Sequence, residues 1–190
     1  MQSRFLVQAM GVVIAMFLLS SQSFAQTDEH PIEVGGLVTA IDLRDTIGEK
    51  PLGVGGRFTY NFTKNIAVDS EVSYFPENGS GDFGETIALV GVKAGARSEK
   101  FGAFAKIRPG IVHFGGNAFQ SFNNSQSKFA LDVGGVIEFY PTSRAIIRVD
   151  VGDTIIAFGD EAINRPVPPF VIRPGTTHNL QTSFGIGYRF

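Results

Sequence analysis

Apolar and polar residues alternate with a period of two along most of this chain, in segments of about ten residues. The last segment is the clearest: Leu180, Phe184 and Ile186 lie on one face, and Ser183 and Gly185 lie on the other. Such alternation is typical of a β-strand whose two faces meet different surroundings. It predicts eight strands, roughly Ile32–Ile41, Leu52–Phe62, Ile66–Tyr74, Thr86–Ala96, Phe101–His113, Phe129–Tyr140, Ala145–Thr154 and Leu180–Phe190.

The first predicted strand is the least regular, because Leu37 and Ile41 interrupt its alternation. The connections between strands add independent information, since short and long ones follow each other strictly. The short ones are the polar turns 63–65, 97–100 and 141–144, and the long ones cover about Asp42–Pro51, Phe75–Glu85, Phe114–Lys128 and Ile155–Asn179. An antiparallel up-and-down barrel with all long loops at one end produces this asymmetry, and it requires an even strand number. We therefore predict an all-β, eight-stranded antiparallel up-and-down transmembrane barrel with three short periplasmic turns and four longer extracellular loops.

Alternation alone does not say which face is outside. A soluble lipocalin-like ligand-binding barrel also alternates, with its apolar face inward. Here the other face is rich in Gly and Ser, which suit a narrow interior better than a surface in water. The apolar face carries aromatic residues at the short-turn end, as a membrane interface favours: Tyr60, Phe62, Phe101, Phe139, Tyr188 and Phe190. The membrane barrel is the prediction, and the soluble barrel is an alternative.

The polar face also carries charges of both signs. In an eight-stranded barrel the interior is just wide enough for side chains to fill it, so these charges are expected to pair with one another. The predicted lumen network consists of Arg57, Asp69, Glu71, Lys93, Arg97, Lys106, Arg108, Asp132, Glu138, Arg148, Asp150 and Arg189, and Glu33 lies on the same face. We expect the network to plug the barrel. A narrow channel for small solutes is the alternative.

The amino terminus predicts a cleaved secretory signal peptide. Arg4 is followed by an apolar stretch from Met10 to Leu19, which is too short to span a bilayer as a helix. Ser23 and Ala25 are the small residues of a cleavage site after position 25. The sequence thus divides into a signal peptide, residues 1–25, and one barrel domain, residues 26–190.

Candidate chemistry is sparse. The chain has no Cys, and its formal net charge of −2 gives no electrostatic reason to expect nucleic acid binding. His30, His113 and His178 are far apart in sequence, so we expect no metal site and no cofactor.

The Tyr188-Arg189-Phe190 ending, the signal peptide, the eight amphipathic strands and the alternating loops together resemble the small outer-membrane β-barrel family. That family includes the OmpA transmembrane domain, OmpX, and the opacity and attachment-invasion proteins. The resemblance covers the mature chain and implies a location in a Gram-negative outer membrane, among lipid and lipopolysaccharide. It also implies insertion by the barrel assembly machinery, with an assembly signal formed by Phe184, Ile186, Tyr188 and Phe190. The implied role is structural or surface-interacting, through loops that meet an unknown extracellular partner.

Some barrels of this kind are lipid A-modifying enzymes, which leaves an enzymatic alternative to consider. Their deacylase type resembles a His-x-Ser pattern on one strand. Here His113-Phe114-Gly115 lacks the Ser. We therefore expect no catalytic residue and no enzymatic activity.

Overall fold

The fold is that of a computed structural model, which describes residues 30–42, 51–76, 84–114, 126–157 and 175–190. The predicted signal peptide, with Ser23 and Ala25, lies outside these residues, as does most of each long connection. The strands are β1 (Ile32–Asp42), β2 (Leu52–Asn61), β3 (Ile66–Phe75), β4 (Glu85–Arg97), β5 (Phe101–Phe114), β6 (Gln126–Phe139), β7 (Ala145–Ala157) and β8 (Thr176–Arg189). In the part of the chain that is described, no helix is long and apolar enough to cross a membrane.

All eight strands form one closed antiparallel barrel, in which each strand pairs with its neighbours in sequence and β8 pairs with β1. The predicted fold class is therefore confirmed. The seam between the first and last strands runs from the pair Glu33 and Arg189 to the pair Asp42 and Leu180. At its end, the backbone N–H of Phe190 donates a hydrogen bond of 2.8 Å to the carbonyl of Ile32. Because the seam is paired to the terminus, the sheet has no free edge.

The strand ends differ from the prediction mainly on the long-loop side. β6 begins at Gln126 and β8 at Thr176, earlier than the alternation of apolar residues indicates. The reason is that backbone pairing continues beyond the apolar band: Thr176 still pairs with Ala157 on β7. Backbone hydrogen bonding between strands does not depend on side-chain polarity. A hydropathy pattern therefore underestimates the length of these strands.

The apolar faces of the strands point outward. Large apolar side chains are exposed all around the barrel, including Val54, Ile137 and Ile186 at 60%, 62% and 64%. At the short-turn end the outward aromatic residues stand in the pairs Tyr60–Phe62, Phe101–Phe139 and Tyr188–Phe190, with ring centroids 5.2, 5.1 and 4.9 Å apart. An outer wall of this kind is suited to hydrocarbon rather than to water. It argues against a soluble barrel.

The inward face explains the irregularity of the first strand. Leu37 and Ile41 both point into the barrel, where they are 6% and 1% exposed. Glycines provide the space that larger inward side chains need. At Gly152 an added Cβ would collide with the Asp132 carboxylate and lie 3.4 Å from Cε of Lys106. The Asp132 and Lys106 side chains thus occupy space that is free only because residue 152 has no side chain.

Candidate functional site: the barrel lumen

Charged side chains from all eight strands fill the middle and the short-turn end of the lumen. Strand register brings opposite charges together directly, since Arg57 pairs with Glu71, Arg108 with Asp132, and Glu138 with Arg148 across neighbouring strands. In the ion pairs that these charged residues form in the lumen, no side chain is more than 9% exposed. Charges buried to this degree require partners, because desolvation is costly.

Arg148 lies at the centre of the network. Its guanidinium donates to both carboxylate oxygens of Asp69, at 2.8 and 2.9 Å, and to both oxygens of Asp150, at 2.7 Å each. The planar fork of arginine suits such bidentate contacts. Asp69 also accepts a hydrogen bond of 2.6 Å from Thr59 Oγ1. The Arg148 side chain is completely buried, and it connects β7 to β3 across the lumen.

Arg108 makes a second set of contacts in the same layer. Its Nη1 lies 3.0 Å from Oδ2 of Asp69 and 3.0 Å from Oε2 of Glu71, and its Nε donates to Asp132 at 2.8 Å. Lys106 Nζ is 2.9 Å from Asp132 and 3.2 Å from Asp150. Four carboxylates are thus shared among the cations, and the layer links β3, β5, β6 and β7. Arg57 completes it with a longer contact, 3.6 Å from Nη1 to Asp150 Oδ2.

A second charged layer lies at the short-turn end and centres on Glu33. Its carboxylate lies 3.3 Å from Lys93 Nζ, 3.0 Å from Arg97 Nη2 and 3.3 Å from Arg189 Nε. The Arg189 contact spans the seam between β1 and β8 from inside the lumen. Glu33, which the alternation of β1 places on the polar face beside the predicted network, is thus part of that network. The structure places all twelve residues of the predicted network in these two layers.

The Tyr140 side chain packs against the charged groups of this layer. The Tyr140 hydroxyl donates to Glu138 Oε2 at 2.5 Å and accepts from Arg97 Nε at 2.8 Å. The guanidinium carbons of Arg97 and Arg189 lie 5.3 and 5.4 Å from its ring centroid, within cation–π range. Tyr140 follows the end of β6, and its burial, together with the Glu138 carboxylate, raises the pKa of its phenol. It therefore remains a hydrogen-bond donor.

The opposite end of the lumen is apolar, which the sequence pattern did not predict. We call this layer the outer septum; it consists of Ile41, Phe75, Ile87, Leu89, Val112, Ala130 and Ile156, with the partly buried Phe114 packed against it. The available signal was a break in alternation at the strand ends, where neighbouring residues such as Ile155 and Ile156 are both apolar. Such a break shows that both faces of a strand end meet apolar surroundings.

His113 and His178 contact partners near the long-loop ends of their strands. His113 Nδ1 is 2.9 Å from the hydroxyl of Ser127 on the adjacent strand, and His178 Nδ1 is 2.6 Å from Asp153 Oδ2. Both pairs are near the long-loop ends of their strands. The strand of His113 has no Ser two residues after it, but Ser127 on β6 lies within hydrogen-bond distance of its ring. A Ser–His contact alone does not define a hydrolytic site. Within the described ranges, no group of three or more potential metal ligands occurs.

Comparison with known proteins places this geometry in a family. A family model described as the outer membrane protein beta-barrel domain matches residues 11–190. No curated protein sequence matches the chain. Among solved structures, the chain is similar to Neisserial surface protein A, with a TM-score of 0.55 and 14% identity over 84% of this chain and 97% of that chain.

The N-terminal β-barrel domain of OprF from Pseudomonas aeruginosa is also similar, with a TM-score of 0.51 and 10% identity over 83% of this chain and 97% of that chain. At such identities the two structures support the fold alone. The family model, the closed eight-stranded barrel and the apolar outer wall agree with one another. The chain therefore belongs to the outer-membrane β-barrel family, and it lies in the outer membrane with its strands spanning the bilayer.

Proposed function

We propose that this protein is a structural or surface-interacting component of the outer membrane, whose closed barrel anchors four external loops. The observation that supports it best is the filled lumen. Ion-paired side chains occupy the middle and the periplasmic end, and the outer septum occupies the external end. A barrel filled in this way serves as an anchor rather than as a water-filled pore. The proposed role is non-enzymatic.

The proposed partners follow from the same arrangement. The outward wall contacts outer-membrane lipid and lipopolysaccharide, and the last strand engages the barrel assembly machinery during insertion. The loops reach an extracellular partner, for which the longest connection, about Ile155–Asn179, offers the largest contact surface by sequence length.

A closed lumen predicts that the folded protein carries no steady ion current in a planar lipid bilayer. The measurement uses purified protein whose folded state is verified by a band that migrates differently before and after boiling. The same bilayer with a known large porin provides the positive control. A steady current from the folded protein would contradict the closed lumen and favour the narrow channel, and neutralising Arg108 should then change that current.

A surface role predicts that the longest connection is needed for contact but not for folding. Replacing residues 158–174 with a Gly-Ser segment of equal length should leave the amount of folded barrel in the outer membrane unchanged. Binding of whole cells to at least one member of a panel of immobilised glycans and serum proteins should be lost. The matched control replaces residues 43–50 in the same way. If binding across the panel is the same for both variants and the parent chain, the longest connection is not the contact surface.

A further inference from the structure

The outer septum forms a complete layer across the lumen. Its members pack into one buried cluster, in which Ile87 pairs with Val112 on β5 and Ala130 pairs with Ile156 on β7. These four side chains are at most 1% exposed. Six strands contribute apolar side chains to the layer, and the other two are accommodated by different means.

On β2 the inward residue at this level is Gly53, and the space beside it is taken by the Phe75 ring. A Cβ added at Gly53 would lie 2.8 Å from Cδ1 of that ring. On β8 the inward residues are Thr177 and Asn179. The Asn179 amide donates to the Thr154 carbonyl at 2.9 Å and to the Thr177 hydroxyl at 3.0 Å, so its donors are satisfied within the barrel. The Phe75 ring thus fills the space on β2, and the polar side chains on β8 are hydrogen-bonded within the barrel.

A polar layer begins directly beneath the septum. Thr39 lies two residues before Ile41 on the inward face of β1, and its hydroxyl accepts hydrogen bonds from Gln181 at 3.1 Å and Ser183 at 2.9 Å. Gln181 also donates to Glu71 at 3.2 Å, and Glu71 contacts Arg108. A continuous polar path thus leads from the underside of the septum to the charged network. Thr39 is 1% exposed.

We propose that the outer septum is a dry permeability barrier, and that it, rather than the charged network, keeps external water and solutes out of the lumen. An apolar constriction excludes water because it offers no hydrogen bonds to replace those of the liquid. Ion pairs beneath it are stabilised by that exclusion, since their attraction weakens as the local dielectric constant rises. This inference rests on the proposed closed barrel and assigns its external seal to particular side chains.

The test uses thiol accessibility, because the chain has no Cys and a single substitution gives an unambiguous signal. The reporter is Thr39→Cys, a change of similar size directly beneath the septum. Its reaction rate with a small charged thiol reagent is measured on the folded protein in detergent, where both mouths are accessible. Phe75→Ala then removes the largest side chain of the septum. Phe129→Ala is the matched control, since Phe129 points outward near the same end and is 55% exposed.

We expect the reporter alone to react slowly, and Phe75→Ala to accelerate its labelling about tenfold by lowering the cost of local opening. Phe129→Ala should leave the rate unchanged. A second reporter, Ile146→Cys, lies buried near the periplasmic end and should be unaffected by Phe75→Ala. Acceleration at Ile146→Cys as well would indicate general loosening of the barrel and would overturn the assignment.

Equal rates for Phe75→Ala and Phe129→Ala in folded protein would also overturn it, because the septum would then not limit access. This failure is distinct from failure of the proposed function. A barrel that carries no current but whose reporter is insensitive to Phe75→Ala is closed by the charged network instead. A barrel that carries current without any substitution is not closed at all.

Discussion

Replacing Arg148 with Met is expected to lower the free energy of unfolding by about 3–5 kcal/mol, among the largest effects of any single substitution in this barrel. Arg148 donates four hydrogen bonds to the carboxylates of Asp69 and Asp150, and its side chain is completely buried. Methionine fills a similar volume but leaves those carboxylates without their main cation. The cost comes from uncompensated buried charge rather than from lost packing.

The measurement is urea-induced unfolding of the barrel in detergent or lipid, followed by circular dichroism and by the heat-dependent gel shift, because the chain has no Trp for fluorescence. Val149→Ala is the control, since the neighbouring Val149 points outward and is 40% exposed. The double variant Arg148→Met with Asp150→Leu should recover part of the lost free energy of unfolding, because it removes one of the two carboxylates that Arg148 would otherwise neutralise. If Arg148→Met unfolds within about 1 kcal/mol of the parent, water or rearranged cations satisfy the carboxylates, and the network is not the stabilising element proposed here.

Replacing Phe190 with Ser is expected to reduce the amount of folded barrel in the outer membrane several-fold while changing its intrinsic stability little. The Phe190 side chain is 60% exposed and its ring contacts Tyr188, so few contacts within the barrel depend on it. Its backbone N–H donates to Ile32, and a serine retains that hydrogen bond. A large loss in cells would therefore reflect recognition of the last strand during insertion rather than stability.

The control is Phe62→Ser, which removes an aromatic residue of similar exposure, 54%, from the same end of the outer wall. Phe62 contacts Tyr60 much as Phe190 contacts Tyr188, but it follows β2 rather than the terminal strand. The folded fraction is measured in isolated outer membranes by the heat-dependent gel shift, and refolding of the purified proteins into detergent is measured in parallel. If Phe62→Ser and Phe190→Ser reduce the membrane-inserted amount equally, the effect belongs to the aromatic girdle and the terminal assembly signal is not supported.

The fold followed from local patterns that a barrel repeats on every strand. Alternation with a period of two separated the outward from the inward residues, and short and long connections gave the strand number and the direction of the loops. The charges on the polar face were also expected to meet one another in the lumen, because side chains fill the interior of an eight-stranded barrel. Local sequence determines all of these properties, since they depend on residues within one strand or one turn.

The partners of each charge and the composition of the lumen along its axis were decided only by tertiary structure. Arg148 contacts Asp69 across the lumen, at a separation of 79 residues, and Glu33 meets Arg189 only because the first and last strands close the sheet. The outer septum was missed for the same reason. Ile41, Phe75 and Ile156 interrupt or end the alternation of their own strands, and only the stagger of eight strands brings them into one cluster. A period-two pattern gives the face on which a side chain lies, whereas strand register gives its height and its neighbours, and register is a property of the closed barrel.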